Sequence, residues 1–212
     1  MSTLTAQNHT PGFASPVHDA QRVFRAVLEA LARPTAPQVV DAVVDPPHPL
    51  GATAGAVILT LCDEQTPIWL DDVLRTTPEV SAWIAFHTGA RIVRSAAEAL
   101  FVIASSPETA PALAELRRGT DEEPHTSATL IIDARASAGI GALTASGPGI
   151  RESSQWDGAG LPAGFLPQWQ ENRALYPRGI DLIVAEQSTV RGLPRTTVLT
   201  GGSHHDLDRR SA

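Results

Sequence analysis

Three short runs of branched apolar residues, Leu100–Ala104, Leu130–Asp133 and Ile180–Ala185, constrain the fold of this chain more than any other feature. Runs of that length and composition belong to strands covered on both faces of a sheet. Between the first two lies a segment opened by Ser106 and Pro107, with Leu113 and Leu116 on one side, Arg117 and Arg118 near its end and Gly119 after them. These signals predict a helix there. Thr66–Leu70 and Gly141–Thr144 read as further strands, and a helix is expected around Gly164–Leu175. Gly192–Leu199 reads as a last strand antiparallel to its predecessor, because Glu186-Gln187-Ser188-Thr189 is short enough for a hairpin. Strand and helix alternate, which predicts an α/β domain with a mixed sheet flanked by helices.

Upstream, Pro16–Arg33 places Val17, Ala20, Phe24, Val27, Leu28 and Leu31 at three- and four-residue intervals, one apolar stripe on a helix. Pro16 suits its first turn and Pro34 stops it. Gln38–Val44 reads as extended, and Asp45-Pro46-Pro47-His48-Pro49 as a stiff connector, where a domain division is possible but not required. Ala52–Leu61 is apolar on nearly every face; a buried helix suits it better than a strand, which periodicity alone does not exclude. Thr77-Pro78-Glu79 starts another helix and Gly89 can close it. The chain of 212 residues thus divides into a polar segment at 1–12, one domain at 13–200, and a tail at 201–212 expected to be disordered.

The basic residues narrow the chemistry. All 16 are arginine, so a P-loop lysine, a Schiff-base lysine for pyridoxal phosphate and a lysine general base are excluded. A formal charge of -7 is the wrong sign for a chain that binds nucleic acid by neutralising phosphates. One cysteine, Cys62, makes neither an internal disulfide nor a thiolate zinc site, and a reducing compartment fits it best. Its two readings are a packed, inert thiol and a reactive nucleophile, the first favoured because no basic residue adjoins it. No leader or membrane span is read in the sequence, so the expectation is a cytoplasmic protein without membrane or nucleic-acid partners.

No acid/base pair and no metal motif stands out, so no catalytic, cofactor or metal residues are assigned. His204-His205 in the tail reads as a solvated terminus rather than an ion site. What the sequence offers is anion holders. His87 ends an apolar helix, near Arg91 and Arg94, and is either a plain helix terminus or part of a ligand pocket. Gly147-Pro148-Gly149-Ile150 before Arg151 is either a bare turn or a cradle of amides with a guanidinium beside it. Arg178, Arg195 and Thr196 flank the last hairpin and read equally as surface turns or as anion contacts. The helices around Trp83 and Trp169 offer apolar residues either to an oligomer contact or to the core.

The order and wording of several motifs resemble PhnH, the H-subunit family of the carbon-phosphorus lyase system. They are Pro16-Val17-His18-Asp19-Ala20-Gln21-Arg22-Val23-Phe24-Arg25, Leu59-Thr60-Leu61 leading into Thr66-Pro67-Ile68-Trp69-Leu70, and Phe86-His87-Thr88-Gly89. Leu143 with Ser146-Gly147-Pro148-Gly149-Ile150, Tyr176-Pro177-Arg178-Gly179-Ile180-Asp181-Leu182-Ile183 and Leu193-Pro194-Arg195-Thr196-Thr197 complete a collinear set from Phe13 to Thr197. The resemblance implies the fold of the large domain of pyridoxal-phosphate-dependent transferases without the cofactor. It also implies a homodimer that joins the G, I and J subunits in a core complex. Helped by the L subunit, that assembly replaces the adenine of ATP by methylphosphonate, giving ribose 1-methylphosphonate 5-triphosphate. On this reading the I subunit carries the nucleosidase chemistry, and the present chain supplies scaffold and charge stabilisation. The alternative is an independent phosphate- or nucleotide-binding enzyme or sensor built on His87, Arg151, Arg178 and Arg195.

Overall fold

A computed structural model describes residues 10–135 and 137–201. The order of elements is α1 (Pro16–Ala32), β1 (Gln38–Val39), α2 (Ala52–Leu61), β2 (Ile68–Leu70), α3 (Asp72–Arg75), α4 (Pro78–Thr88), β3 (Phe101–Ala104) and β4 (Thr129–Asp133). There follow β5 (Leu143–Ser146), β6 (Ser154–Trp156), α5 (Phe165–Ala174), β7 (Asp181–Ala185), β8 (Thr189–Leu193) and β9 (Val198–Gly201). The main sheet runs β1-β8-β7-β4-β3-β2. Its strands β2, β3, β4 and β7 are parallel, whereas β8 and β1 are antiparallel to their neighbours, so the sheet is mixed. A second, antiparallel sheet runs β6-β5-β9.

The apolar runs are buried on both faces, as their composition demands. Ile103, Ile131 and Ile183 point into one core with α1, α2 and α4; Val102, Leu130, Ile132, Leu182 and Val184 point into another with α5 and the small sheet. Period-two alternation thus serves two cores at once. Ala52–Leu61 is a helix, and Ala54 through Ile58 lie inside the first core. The helix begun at Pro78 ends at Gly89, whose φ of 71° is the left-handed conformation that glycine supplies at a helix end.

Four local expectations change. The segment after Ser106 is not a helix but two short 3-10 turns, Pro107–Thr109 and Leu113–Glu115. Pro111 has no amide to donate and its ring obstructs the preceding turn, so the helix cannot run through it. Leu113 and Leu116 nevertheless reach the core. The strand expected at Gly141–Thr144 begins at Leu143 and runs to Ser146. Gly192–Leu199 is not one strand: β8 pairs with β7 as the hairpin required, the chain turns at Pro194, and β9 joins β5 in the other sheet. Gly201 belongs to β9, while the rest of the expected tail and residues 1–9 lie outside the described residues.

The fourth change concerns α1. Its buried side is Asp19, Val23, Ala26, Val27 and Ala30, whereas Val17, Phe24 and Leu28 are 67 %, 49 % and 55 % exposed. The reason is the closeness of helix and sheet. A Cβ on Gly192 of β8 would lie 2.6 Å from backbone atoms of Ala30, so only the arc of small residues fits there. Of the expected stripe, Val17, Phe24 and Leu28 are turned outward, whereas Val27 is buried and Leu31 packs against the core. The reverse holds for the helices of Trp83 and Trp169, whose indoles are fully buried. They donate to the carbonyls of Thr10 and Thr197 at 2.9 Å, and Trp169 stacks on Phe165. These two tryptophans are core, and an oligomer contact does not use them.

Cys62 caps α2 inside the first core, and burial, with the charge of Asp63 added, pushes its thiol up to about 12. The thiolate is the reactive form, so the inert reading holds. Iodoacetamide at pH 8 is expected to label Cys62 at least tenfold more slowly in the native protein than in urea. Equal rates would refute this burial. Because the folded thiol titrates above the unfolded one, its contribution is intact below about pH 9 and is lost as pH rises from there toward 12.

Candidate functional site

The carboxyl ends of the four parallel strands carry a row of polar residues: Asp71 after β2, Ser105 after β3, Asp133 at the end of β4 and Glu186 after β7. This is the edge at which open α/β sheets bind ligands. Asp71 is buried and accepts from the Leu74 amide (2.8 Å), the Ser105 amide and hydroxyl (2.6 Å each) and the Thr109 hydroxyl. It therefore caps α3 and ties β2 to the turn after β3. Asp133 accepts from the Gly51 amide, at the start of α2, and from Nε of Arg135, both at 2.8 Å. Arg135 also donates to the Pro49 carbonyl at 2.6 Å. Its guanidinium lies so close to Gly51 that a Cβ there would be 2.3 Å from Nε. At the fourth position, the Glu186 carboxylate accepts from the Thr189 hydroxyl and from Arg191.

Each carboxylate at this edge has protein donors, so the row acts chemically as a set of caps and clasps: Asp71 and Asp133 join strand ends to helix starts, and Glu186 ties the end of β7 to β8. Sequence reasoning missed it. The signal was available: an acid that abruptly ends a branched apolar run, as in Leu130-Ile131-Ile132-Asp133 or Trp69-Leu70-Asp71, has no place in a core unless donors surround it.

The residues singled out as anion holders fall into three groups. His87, on α4, lies with Nε2 3.0 Å from the Thr10 carbonyl, the same oxygen that Trp83 binds, and its ring meets Trp83 and Phe86 edge-on at 5.0 Å. It pins the entering chain onto the helix. It shares no hydrogen bond or ion pair with the other candidates among the described residues. Gly147, Gly149 and Thr196 come together. Gly147 (φ 126°) sits against the Thr196 carbonyl, which a Cβ would approach to 3.2 Å, and the Ile150 amide closes the turn onto Gly147. Gly149 (φ 81°) lies against the last turn of α1, where a Cβ would come 2.1 Å from the Ala32 carbonyl. Arg151, which follows the turn after Ile150, is exposed.

The third group stands at the amino end of β7. Arg195 binds the Asp181 carboxylate through Nε (3.1 Å) and Nη2 (2.6 Å), and its amide donates to the same carboxylate. Nη1 lies within 3.1 Å of the Pro124 and Pro177 carbonyls and 2.9 Å from the Ser127 hydroxyl. Five contacts make this guanidinium a tie between strand and loops. Arg178, beside Pro177, has Nε 3.0 Å from Asp121.

A cleft of about 440 Å³ separates α5 from the 3-10 turns that replace the expected helix. Its walls include Pro107, Pro111, Leu113, Phe165 and Gln168, and Gln168 spans it by accepting from the Leu113 amide at 3.0 Å. Glu108 is its one acid, held below the usual carboxylate range by the hydrogen bond from Ser106. Apolar walls with an ionised carboxylate disfavour a polyphosphate.

Comparison with known proteins carries identity further than these contacts do. A curated relative from Rhizobium meliloti (strain 1021), named alpha-D-ribose 1-methylphosphonate 5-triphosphate synthase subunit PhnH, is 40 % identical over 197 residues, which cover 93 % of this chain and 98 % of the relative. The family model described as bacterial phosphonate metabolism protein (PhnH) matches residues 11–200, a span that takes in all five helices described above and both sheets but for Gly201 at the end of β9. The chain therefore belongs to the PhnH family of bacterial phosphonate metabolism proteins.

Proposed function

We propose that this chain is the H subunit of a carbon-phosphorus lyase core complex in organic phosphonate catabolism. Together with the G, I and J subunits, and with the L subunit, it serves transfer of the ribose triphosphate moiety of ATP to methylphosphonate with release of adenine. Its own part is non-catalytic, scaffold and charge stabilisation, and it is a cytoplasmic homodimer whose fold is that of the large domain of pyridoxal-phosphate-dependent transferases without the cofactor. The observation that carries this reading is the 40 % identity to a synthase subunit across 98 % of that protein's length. The absence of lysine agrees with it, since the covalent cofactor anchor of that fold is a lysine.

Among the anion holders, charge stabilisation is best placed on the turn of Gly147, Gly149 and Arg151 with Thr196. The guanidinium of Arg195 is already engaged by Asp181 and that of Arg178 faces Asp121, while Arg151 projects into solvent. Tripolyphosphate titrated against the chain by calorimetry is expected to bind, and Arg151→Ala to weaken that binding about tenfold. Unchanged affinity in the variant rejects the assignment to this turn.

The decisive experiment is reconstitution. The purified chain alone should leave ATP and methylphosphonate unchanged, co-purify with the G, I and J subunits, and restore adenine release to a mixture lacking it. Adenine release by the isolated chain supports instead an independent nucleotide-binding enzyme, and failure to co-purify rejects the subunit reading.

A further inference from the structure

The outer face of α1 leaves three large apolar side chains uncovered along one helix. Val17, Phe24 and Leu28 fall within roughly 40° of arc at 3.6 residues per turn, and all three are about half exposed or more. Beside them a recess of about 350 Å³ is lined by Ala20, Gln21, Phe24, Arg25 and Thr60, between α1 and α2. Surface leucines and phenylalanines scattered singly need no explanation, but a row of them along one helix next to a recess marks a contact surface.

The charges along this face say what covers it. Arg22 is bound by Asp19 at 2.6 Å and reaches Asp41, and Arg33 pairs with Glu29 at 3.2 Å. Arg25 has no acid partner among the described residues, although it lines the recess. Arg25 and Glu29 stand one turn apart on the same flank of the apolar row. When two identical helices pack antiparallel about a twofold axis, each flank meets its own copy, so a basic and an acidic residue on one flank satisfy each other twice. In a parallel pair that flank would meet the opposite one. The Glu29–Arg33 pair is no obstacle, since both side chains are more than half exposed and such a pair is weak.

We propose that two copies of this chain associate through α1, antiparallel, with Arg25 of each copy against Glu29 of the other. The register that makes this pair lays Phe24 between Leu28 and Leu31 of the second copy and brings that Leu31 over the recess. The inference rests on the homodimer proposed above and assigns its surface.

Sedimentation velocity of the full chain at tens of micromolar tests it. The wild type should be dimeric. Phe24→Asp, at an exposed site, should be monomeric with an unchanged circular dichroism spectrum and melting temperature. Arg25→Glu and Glu29→Arg should each weaken the dimer about tenfold or more by setting like charges together, and the double swap should recover wild-type association. A dimer that tolerates Phe24→Asp overturns the α1 assignment while the homodimer stands. Single swaps without effect, or a double swap that stays weak, overturn the Arg25–Glu29 pairing. A monomeric wild type overturns the homodimer and this inference with it.

Discussion

Arg195→Ala is expected to destabilise the protein by about 3 kcal/mol, the low end of the range for removing one partner of a buried, hydrogen-bonded ion pair, because this pair is only partly buried. Arg195 and Asp181 are 14 % and 25 % exposed, and the guanidinium also holds the Pro124 and Pro177 carbonyls and the Ser127 hydroxyl. Its removal leaves the Asp181 carboxylate with the backbone amide of residue 195 in place of a two-pronged guanidinium and takes the side-chain donor from the Pro177 carbonyl. Arg195→Lys should rescue little, because an ammonium cannot reproduce the two-pronged grip on Asp181 while reaching the loop carbonyls. Urea denaturation would read this as a lower midpoint at unchanged slope. A loss below about 1 kcal/mol would show that the tie contributes no more than a surface pair.

Gly149→Ala is the other large effect, expected at about 2–5 kcal/mol. A left-handed conformation costs an alanine roughly 1–2 kcal/mol, and overpacking adds about 1–3 kcal/mol. At Gly149 both apply, because φ is 81° and the clash is with a backbone oxygen, the Ala32 carbonyl at the end of α1. Gly141, also at positive φ but facing open space, provides the comparison: Gly141→Ala should show the conformational cost alone. Equal melting temperatures for the two variants would refute the close packing of the turn on α1. If the difference is found, the glycine of this turn is required by packing whatever the turn binds.

Much of the fold was legible. Leu100–Ala104, Leu130–Asp133 and Ile180–Ala185 read as doubly covered strands and are the adjacent interior strands β3, β4 and β7 of the main sheet. Proline and glycine placed the ends of α4 because their effect on the backbone is local. The helix expected after Ser106 failed because Pro111 outweighed the capping signals around it. The break between β8 and β9 was hidden because a strand's composition does not say which sheet it joins. The motifs that carry the PhnH resemblance were legible as words in order, and both comparisons support the family. The geometry of the candidate anion residues was not, since a sequence lists arginines without their partners: Arg195 and Arg151 look alike until Asp181 is found beside one of them.

By itself the sequence determined the class of fold, the buried strands, the family, and the exclusion of lysine chemistry, because composition, periodicity and the absence of a residue type are properties of the chain alone. Only the tertiary structure decided which side of α1 faces the sheet, that Trp83 and Trp169 are core, and that Asp71 and Asp133 fasten strand ends to helix starts. Those outcomes depend on distances between segments far apart in the chain. The backbone contact of Gly192 with Ala30 is the plainest case: two small residues separated by most of the sequence set the side of α1 that meets the sheet, and Val17, Phe24 and Leu28 face outward.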